Sequence, residues 1–317
     1  MKMGGNTSDR PWIGNYLGTI FLLTEIQISK IFKEVINMTV YSLNGYTKDI
    51  DQSISGAFRI AILNLMPTKE TTENQYRRVL AALETDVELT FFCPASHHFK
   101  SDQAATIKEC YATWQEIADQ HFDGLIITGA PVETVDFEEV DYWDEFCQII
   151  DWSRDHCTKV LCLCWAAQAG MYYEADLPKY PTDQKLFGLY PVTVFHESEL
   201  FDGIDVDRLK IPFSRHTTNR IMNIERTNLV LIAANEVVGP QIVESADHHF
   251  TYITGHPEYD RLTLYQEYHR DSEAGKSIEL PANYFKGTPE PENVQDSWHQ
   301  DALKLYKNVF KGCFAIV

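Results

Sequence analysis

Positive charge is scarce in this chain. Its 317 residues hold 27 lysines and arginines against 46 aspartates and glutamates, a net charge of −19 at pH 7. A surface of that sign repels phosphate backbones and anionic lipid, which argues against nucleic acid and membrane as partners. Small anionic ligands stay open, since they need only a local basic pocket. Long apolar runs are also lacking. The stretch from Ile13 to Ile28 contains Asn15, Glu25 and Gln27 and is too polar and too short to span a bilayer. No clear small-residue cleavage site follows it, so a secretory signal is a poor reading. Metal-ligand spacing is missing: Cys162 and Cys164 form only a Cys-x-Cys, without a second close pair or a histidine cluster. The seven cysteines are odd in number, scattered and mostly set in apolar runs, which is cytoplasmic usage. No glycine-rich phosphate loop, nicotinamide motif or flavin motif occurs, so no cofactor is expected.

What is present is a foldable chain. Apolar residues make up 44% of it, enough for a substantial core. The first 37 residues differ from the rest. Lys33-Glu34-Val35-Ile36-Asn37-Met38 can be encoded by AAG GAG GTN, two codons and ATG, which is a ribosome-binding site before a start codon. Translation is therefore expected to start at Met38, with residues 1–37 a non-native or disordered extension and residues 38–317 one domain. Intact mass of the natively expressed protein checks this; a mass that includes Met1 rejects it.

Beyond Ala57, short apolar runs alternate with amphipathic stretches. Strands are expected at Phe58–Leu65, Val87–Phe92, Gly124–Thr128 and Lys159–Leu163. Helices are expected at Thr71–Leu83, Thr113–His121, Val140–Asp155 and Trp165–Glu174. Further β-like runs lie at Leu229–Ala234, Gln241–Glu244 and Phe250–Ile253, followed by helices over Asp260–Ala274 and Ser297–Phe310. This alternation predicts an α/β fold with a doubly wound, mostly parallel sheet. Ligands in such sheets gather at the carboxyl ends of the strands.

Chemistry concentrates at those ends. Cys164 falls where an apolar strand turns into a helix. A thiol there feels the positive end of the helix dipole, which favours the thiolate. Small residues at Cys162 and Ala166 permit a tight elbow. Thr254-Gly255-His256-Pro257-Glu258 closes a later strand. An imidazole can move the proton of a thiol or hydroxyl, and Glu258 two residues on can hold the ring. An acyl intermediate also needs an oxyanion hole. The N–H of Trp165 is one donor, and a second comes from the turn at Gly129-Ala130 or the one at Met66-Pro67. The adjacent His248-His249 pair reads as surface histidines.

Asn64-Leu65-Met66-Pro67, Thr128-Gly129-Ala130-Pro131, Cys164-Trp165-Ala166-Ala167-Gln168-Ala169, Ser214-Arg215-His216 and Thr254-Gly255-His256-Pro257-Glu258-Tyr259-Asp260 together resemble the homoserine O-succinyltransferase/O-acetyltransferase family. The resemblance runs from about Ala57 to Phe310. It implies a fold like that of class I glutamine amidotransferases. It also implies a ping-pong reaction in which Cys164 takes an acyl group from acyl-CoA as a thioester, His256 is the base and Glu258 its partner. Arg270 matches the arginine that takes the acceptor carboxylate, and Glu267, one turn earlier, suits the amino group. Lys185 and Ser214 match further acceptor-site positions, and Lys69 a lysine near the reaction centre. By residue type alone, Arg270 with Glu267 reads as a surface pair, and Lys185 and Lys69 as solvated lysines. Glu133, two residues after Pro131, corresponds to the position where glutamate accompanies acetyl-CoA and glycine accompanies succinyl-CoA. A glutamate there repels a succinyl carboxylate. Relatives of this family tend to be dimers, which allows a homodimer here.

The acceptor side departs from the family pattern. Phe213 stands where the family usually has histidine, and Thr218 lacks the acidic charge found shortly after the motif. Homoserine is the expected acceptor, in methionine synthesis. Serine, one methylene shorter, is the alternative and would place the enzyme in cysteine synthesis; one methylene is worth only ~1–3 kcal/mol in a pocket. Succinyl-CoA as donor and glutamine amide hydrolysis are lesser alternatives.

Overall fold

A computed structural model describes residues 39–99 and 101–315. Met38 and the residues before it lie outside the described residues. The chain opens with β1 (Val40–Ser42) and β2 (Phe58–Leu63), then α1 (Lys69–Leu80) and β3 (Val87–Cys93). It continues through α2 (Ser101–Cys110), β4 (Ala112–Thr113), α3 (Trp114–Ile117) and β5 (Phe122–Ile127). Next come α4 (Trp143–His156), β6 (Cys157–Leu163) and α5 (Trp165–Ala175). A long hairpin follows from β7 (Tyr180–Pro191) and β9 (Lys210–Thr218), with the short β8 (Thr193–Val194) between them. The remainder is α6 (Ile221–Ile224), β10 (Val230–Asn235), β11 (Gly239–Glu244), β12 (Phe250–Ile253), α7 (Thr263–Glu273) and α8 (His299–Phe310).

The main sheet runs β1-β3-β2-β5-β6-β12-β11-β10-β8, with β4 beside β3. From β1 to β12 every pairing is parallel, and β11, β10 and β8 are added antiparallel. The expected α/β, mostly parallel sheet is therefore present. Its central strands read as continuous apolar runs because helices cover both faces. Val160, Leu161, Cys162 and Leu163 of β6 are all fully buried. Each buried aliphatic side chain of this kind contributes about 1.5–3 kcal/mol. β2 has β3 on one side and β5 on the other, so chain order reverses between β2 and β5. That is the switch point at which a crevice opens at the strand ends.

The hairpin of β7 and β9 forms a second, two-stranded sheet. A separate apolar cluster joins it to the C-terminal helices: Phe187, Leu189, Tyr259, Leu264, Tyr284 and Trp298 pack together. This cluster fixes α7 against the hairpin. Among the described residues, no helix is long and apolar enough to cross a membrane.

Candidate functional site

Cys164 caps α5 with φ +49° and ψ −111°. A residue with a Cβ is rarely found there, and such strain at a strand-helix turn is a mark of a functional elbow. The turn is held by the Cys164 N–H, which donates to the Ile253 carbonyl (2.8 Å). Behind it the first turn of α5 is alanine-rich and fully buried, so the helix sits tight on the sheet.

His256 arrives at the end of β12. Gly255 makes its position reachable: a Cβ there would lie 2.5 Å from Ile211 Cγ2 and 2.7 Å from the Pro212 carbonyl. The His256 N–H donates to that carbonyl (2.8 Å). Its ring Nδ1 meets Glu258 Oε1 at 2.7 Å, and the ring stacks on Tyr259 with centroids 4.2 Å apart. His256 and the Cys164 side chain face each other across Gly129. Burial opposes charge on His256, but Cys164 and Glu258 outweigh it and raise its pKa well above the ordinary histidine value. The site thus favours the imidazolium form of His256 beside the Glu258 carboxylate.

Three contacts around this triad were not evident in the sequence. Tyr306 of α8 donates to Glu258 Oε2 (3.4 Å). Arg78 of α1 donates to the Glu258 carbonyl and pairs with Asp260, pinning the loop. Gly129 packs directly against both His256 and Cys164. No local pattern flags Tyr306 or Arg78, because both come from distant helices.

Cys164 and His256 open into a cleft of about 750 Å³. Glu133, Lys185, Ser214, Glu267 and Arg270 line the same cleft. The Ser214 hydroxyl donates to Glu267 Oε2 (2.6 Å), and Lys185 Nζ lies 3.7 Å from that oxygen and 3.4 Å from Asp271 Oδ2. Asp271 also takes Arg270 and Lys276, each at 3.0 Å. Although partly desolvated, it is held far below the ordinary carboxylate range by these cations. The Arg270 side chain is 63% exposed, leaving its guanidinium accessible from the cleft. His216 of the Ser214-Arg215-His216 motif lines this wall too, and so does Asp271, for which the sequence carries no local signal.

Lys69 stands apart. It is buried, it donates to the Asn64 carbonyl, and it lies 5.5 Å from the Phe99 ring and 5.6 Å from the Tyr111 ring. Burial pushes its pKa down to about 8. It does not line the cleft that holds Cys164. Trp165 is fully buried and its N–H begins α5. At the Met66-Pro67 turn, the Leu65 N–H donates to Thr128 Oγ1 (2.8 Å) and the Met66 N–H to Asn64 Oδ1 (3.1 Å). Phe213 is fully buried against Tyr190 and does not face the cleft. Among the described residues no cluster of three or more His, Cys, Asp or Glu is arranged to hold a metal ion.

Comparison with known proteins agrees with this architecture. A glutamine amidotransferase structure from Thermotoga maritima superposes with a TM-score of 0.55 at 11% identity, covering 81% of this chain and 98% of that one. At that identity the likeness speaks for the fold alone. In sequence, the chain is 42% identical over 272 residues to a homoserine O-acetyltransferase from Streptococcus thermophilus, spanning 84% of this chain and 86% of the relative. It is 38% identical over 292 residues to a homoserine O-acetyltransferase from Brevibacillus brevis, spanning 91% and 93%. The family profile described as homoserine O-succinyltransferase matches residues 30–314. With nearly the whole length matched, the chain belongs to the homoserine O-succinyltransferase family and is an acyltransferase.

Proposed function

We propose that this protein moves an acetyl group from acetyl-CoA to the side-chain hydroxyl of L-homoserine through a thioester on Cys164. The observation that carries this reading is one cleft holding a thiol–imidazole–carboxylate set beside groups that match both ends of an amino acid. The Cys164 thiolate attacks the acetyl carbonyl, and the CoA thiolate leaves with a proton from His256. The acceptor hydroxyl then gives its proton to His256 and attacks the thioester, which returns the Cys164 thiolate. Glu258 holds the ring and balances its charge in both halves. The Trp165 N–H donates to the oxyanion.

Arg270 and Lys185 suit the acceptor carboxylate, and Glu267, oriented by Ser214, suits its ammonium. Lys69, away from the cleft, acts as support for the Asn64 turn. Glu133 in the cleft wall supports acetyl over succinyl, because a succinyl carboxylate would meet its charge. The names of the relatives point the same way. Phe213 and Thr218 are the two departures that raise serine as acceptor, but Phe213 lies in the core and the Thr218 hydroxyl donates to the Val238 carbonyl (2.7 Å). Neither residue lines the cleft, so homoserine is favoured.

The test is steady-state CoA release with acetyl-CoA and either homoserine or serine, with Cys164→Ala as control. Higher kcat/KM for homoserine is expected. Higher kcat/KM for serine would move the enzyme to cysteine synthesis, and no CoA release with either would overturn the acceptor assignment.

A further inference from the structure

β9 alternates. Ser214 and His216 face the cleft, and Arg215 between them points the other way, into the core. Arg215 is only 1% exposed, one of the largest fully buried side chains of the molecule. Its hydrogen bonds go to neutral oxygens: the Thr217 carbonyl, the Val238 carbonyl (2.8 Å) and the Thr254 hydroxyl (3.4 Å). Among the described residues its Nε has no partner, and the guanidinium carbon lies 5.0 Å from the centre of the Phe213 ring. Among the described residues no carboxylate comes within ion-pair distance of it. A buried charge normally has an opposite charge beside it.

The place of this cation is specific. Thr254, which it touches, follows Ile253, and Ile253 pairs with Leu163 and accepts the Cys164 N–H (2.8 Å). Thr217, whose carbonyl it holds, donates through its hydroxyl to Gln168 Oε1 (3.0 Å) in the first turn behind Cys164. Both links end at the elbow. We infer that Arg215 is a positioning residue whose fixed positive charge, seated behind the elbow, favours the thiolate of Cys164. Burial lowers the Arg215 pKa to about 10, with Cys164 the first of the charges that oppose this, so it stays cationic at neutral pH. The other titratable groups facing Cys164 are His256, with Glu258 bonded to it, Tyr259 beyond β12 and Tyr76 from α1, while Tyr190 of β7 and Glu133 in the loop after β5 face Arg215. Tyr76 and Tyr259 are pushed up by burial and remain neutral. Arg215 is thus a second cation acting on the sulfur, beside His256.

This rests on Cys164 being the nucleophile, and the test separates the two ideas because alkylation needs no acyl donor. Iodoacetamide labelling of Cys164 is followed by peptide mass spectrometry across pH 5–10. Burial pushes the Cys93 and Cys313 thiols up to about 11, so they do not compete at neutral pH. In Arg215→Gln the pH of half-maximal labelling is expected to rise by about one unit, roughly tenfold slower labelling on the acid side. Arg215→Lys is expected to restore the wild-type profile. An unmoved profile in a folded Arg215→Gln would overturn the inference, whatever its effect on turnover. If Arg215→Gln does not fold, His256→Ala reads the same field with Arg215 in place. Half-maximal labelling near the ordinary cysteine value of about 8.5 is then expected. A value near the 11 of Cys93 would overturn it.

Discussion

Gly129→Ala puts a methyl group against both Cys164 and His256. The added Cβ would lie 3.0 Å from His256 Cε1 and 3.1 Å from Cys164 Cβ. Comfortable carbon contacts are about 3.5–4.0 Å, so the three groups must separate by roughly half an ångström. Neither neighbour yields easily. Cys164 is held by its elbow, and His256 by Glu258 and the Tyr259 stack. A misplacement of 1 Å at a reacting pair costs up to ~10²-fold, so half of it costs about tenfold in kcat. Stability should suffer less. Gly129 has no positive φ, so alanine fits the backbone, and it recovers about 0.4–1 kcal/mol of chain entropy. Overpacking costs about 1–3 kcal/mol, for a net loss on the order of 1 kcal/mol. The assay is steady-state CoA release together with a melting curve. Gly312→Ala is the control, since among the described residues a Cβ there meets nothing within 4 Å. A folded Gly129→Ala enzyme with wild-type kcat would refute the claim that this glycine sets the thiol–imidazole geometry.

Glu258→Gln keeps shape and removes charge. Tyr306 donates to the second oxygen, which turns the amide NH₂ toward His256 and favours the wrong tautomer, so kcat should fall by about 10²–10⁴; a loss under about threefold would count against the triad. Arg270→Met is expected to raise KM for the amino-acid acceptor by roughly 10–100-fold while Cys164 is still acetylated at the wild-type rate in single turnover; an unchanged KM would remove Arg270 from the acceptor site. Lys69 gives a pH signature. Its folded pKa of about 8 lies below the usual 10.5, so folding sheds its proton between those values and stability rises with pH across that window. Urea denaturation of wild type against Lys69→Met should show the difference shifting in favour of wild type from pH 8 to 10; a constant difference would mean the buried amine does not titrate there.

The parallel half of the sheet is legible in patterning alone. β2, β3, β5 and β6 are short apolar runs bounded by turns, and a strand buried on both faces can hardly look otherwise. The hairpin of β7 and β9 is not. Tyr180–Leu186 is largely polar with an irregular register, and it reads as loop until the partner strand is seen. Helix α2 escaped for a similar reason, since Ser101–Cys110 has little apolar periodicity.

For the site, the chain order alone determined the elbow at Cys164 and the His-x-Glu spacing, because those depend on residues adjacent in sequence. That Lys185, Ser214 and Glu267 meet at one carboxylate could not be seen there, as they come from three elements. Tertiary structure also decided that Phe213 belongs to the core, that Lys69 lies outside the cleft lining, and that Arg215 is buried with no counter-charge among the described residues. Residue type says what a side chain can do; whether it faces water, core or cleft depends on strand register and on partners tens to hundreds of residues away.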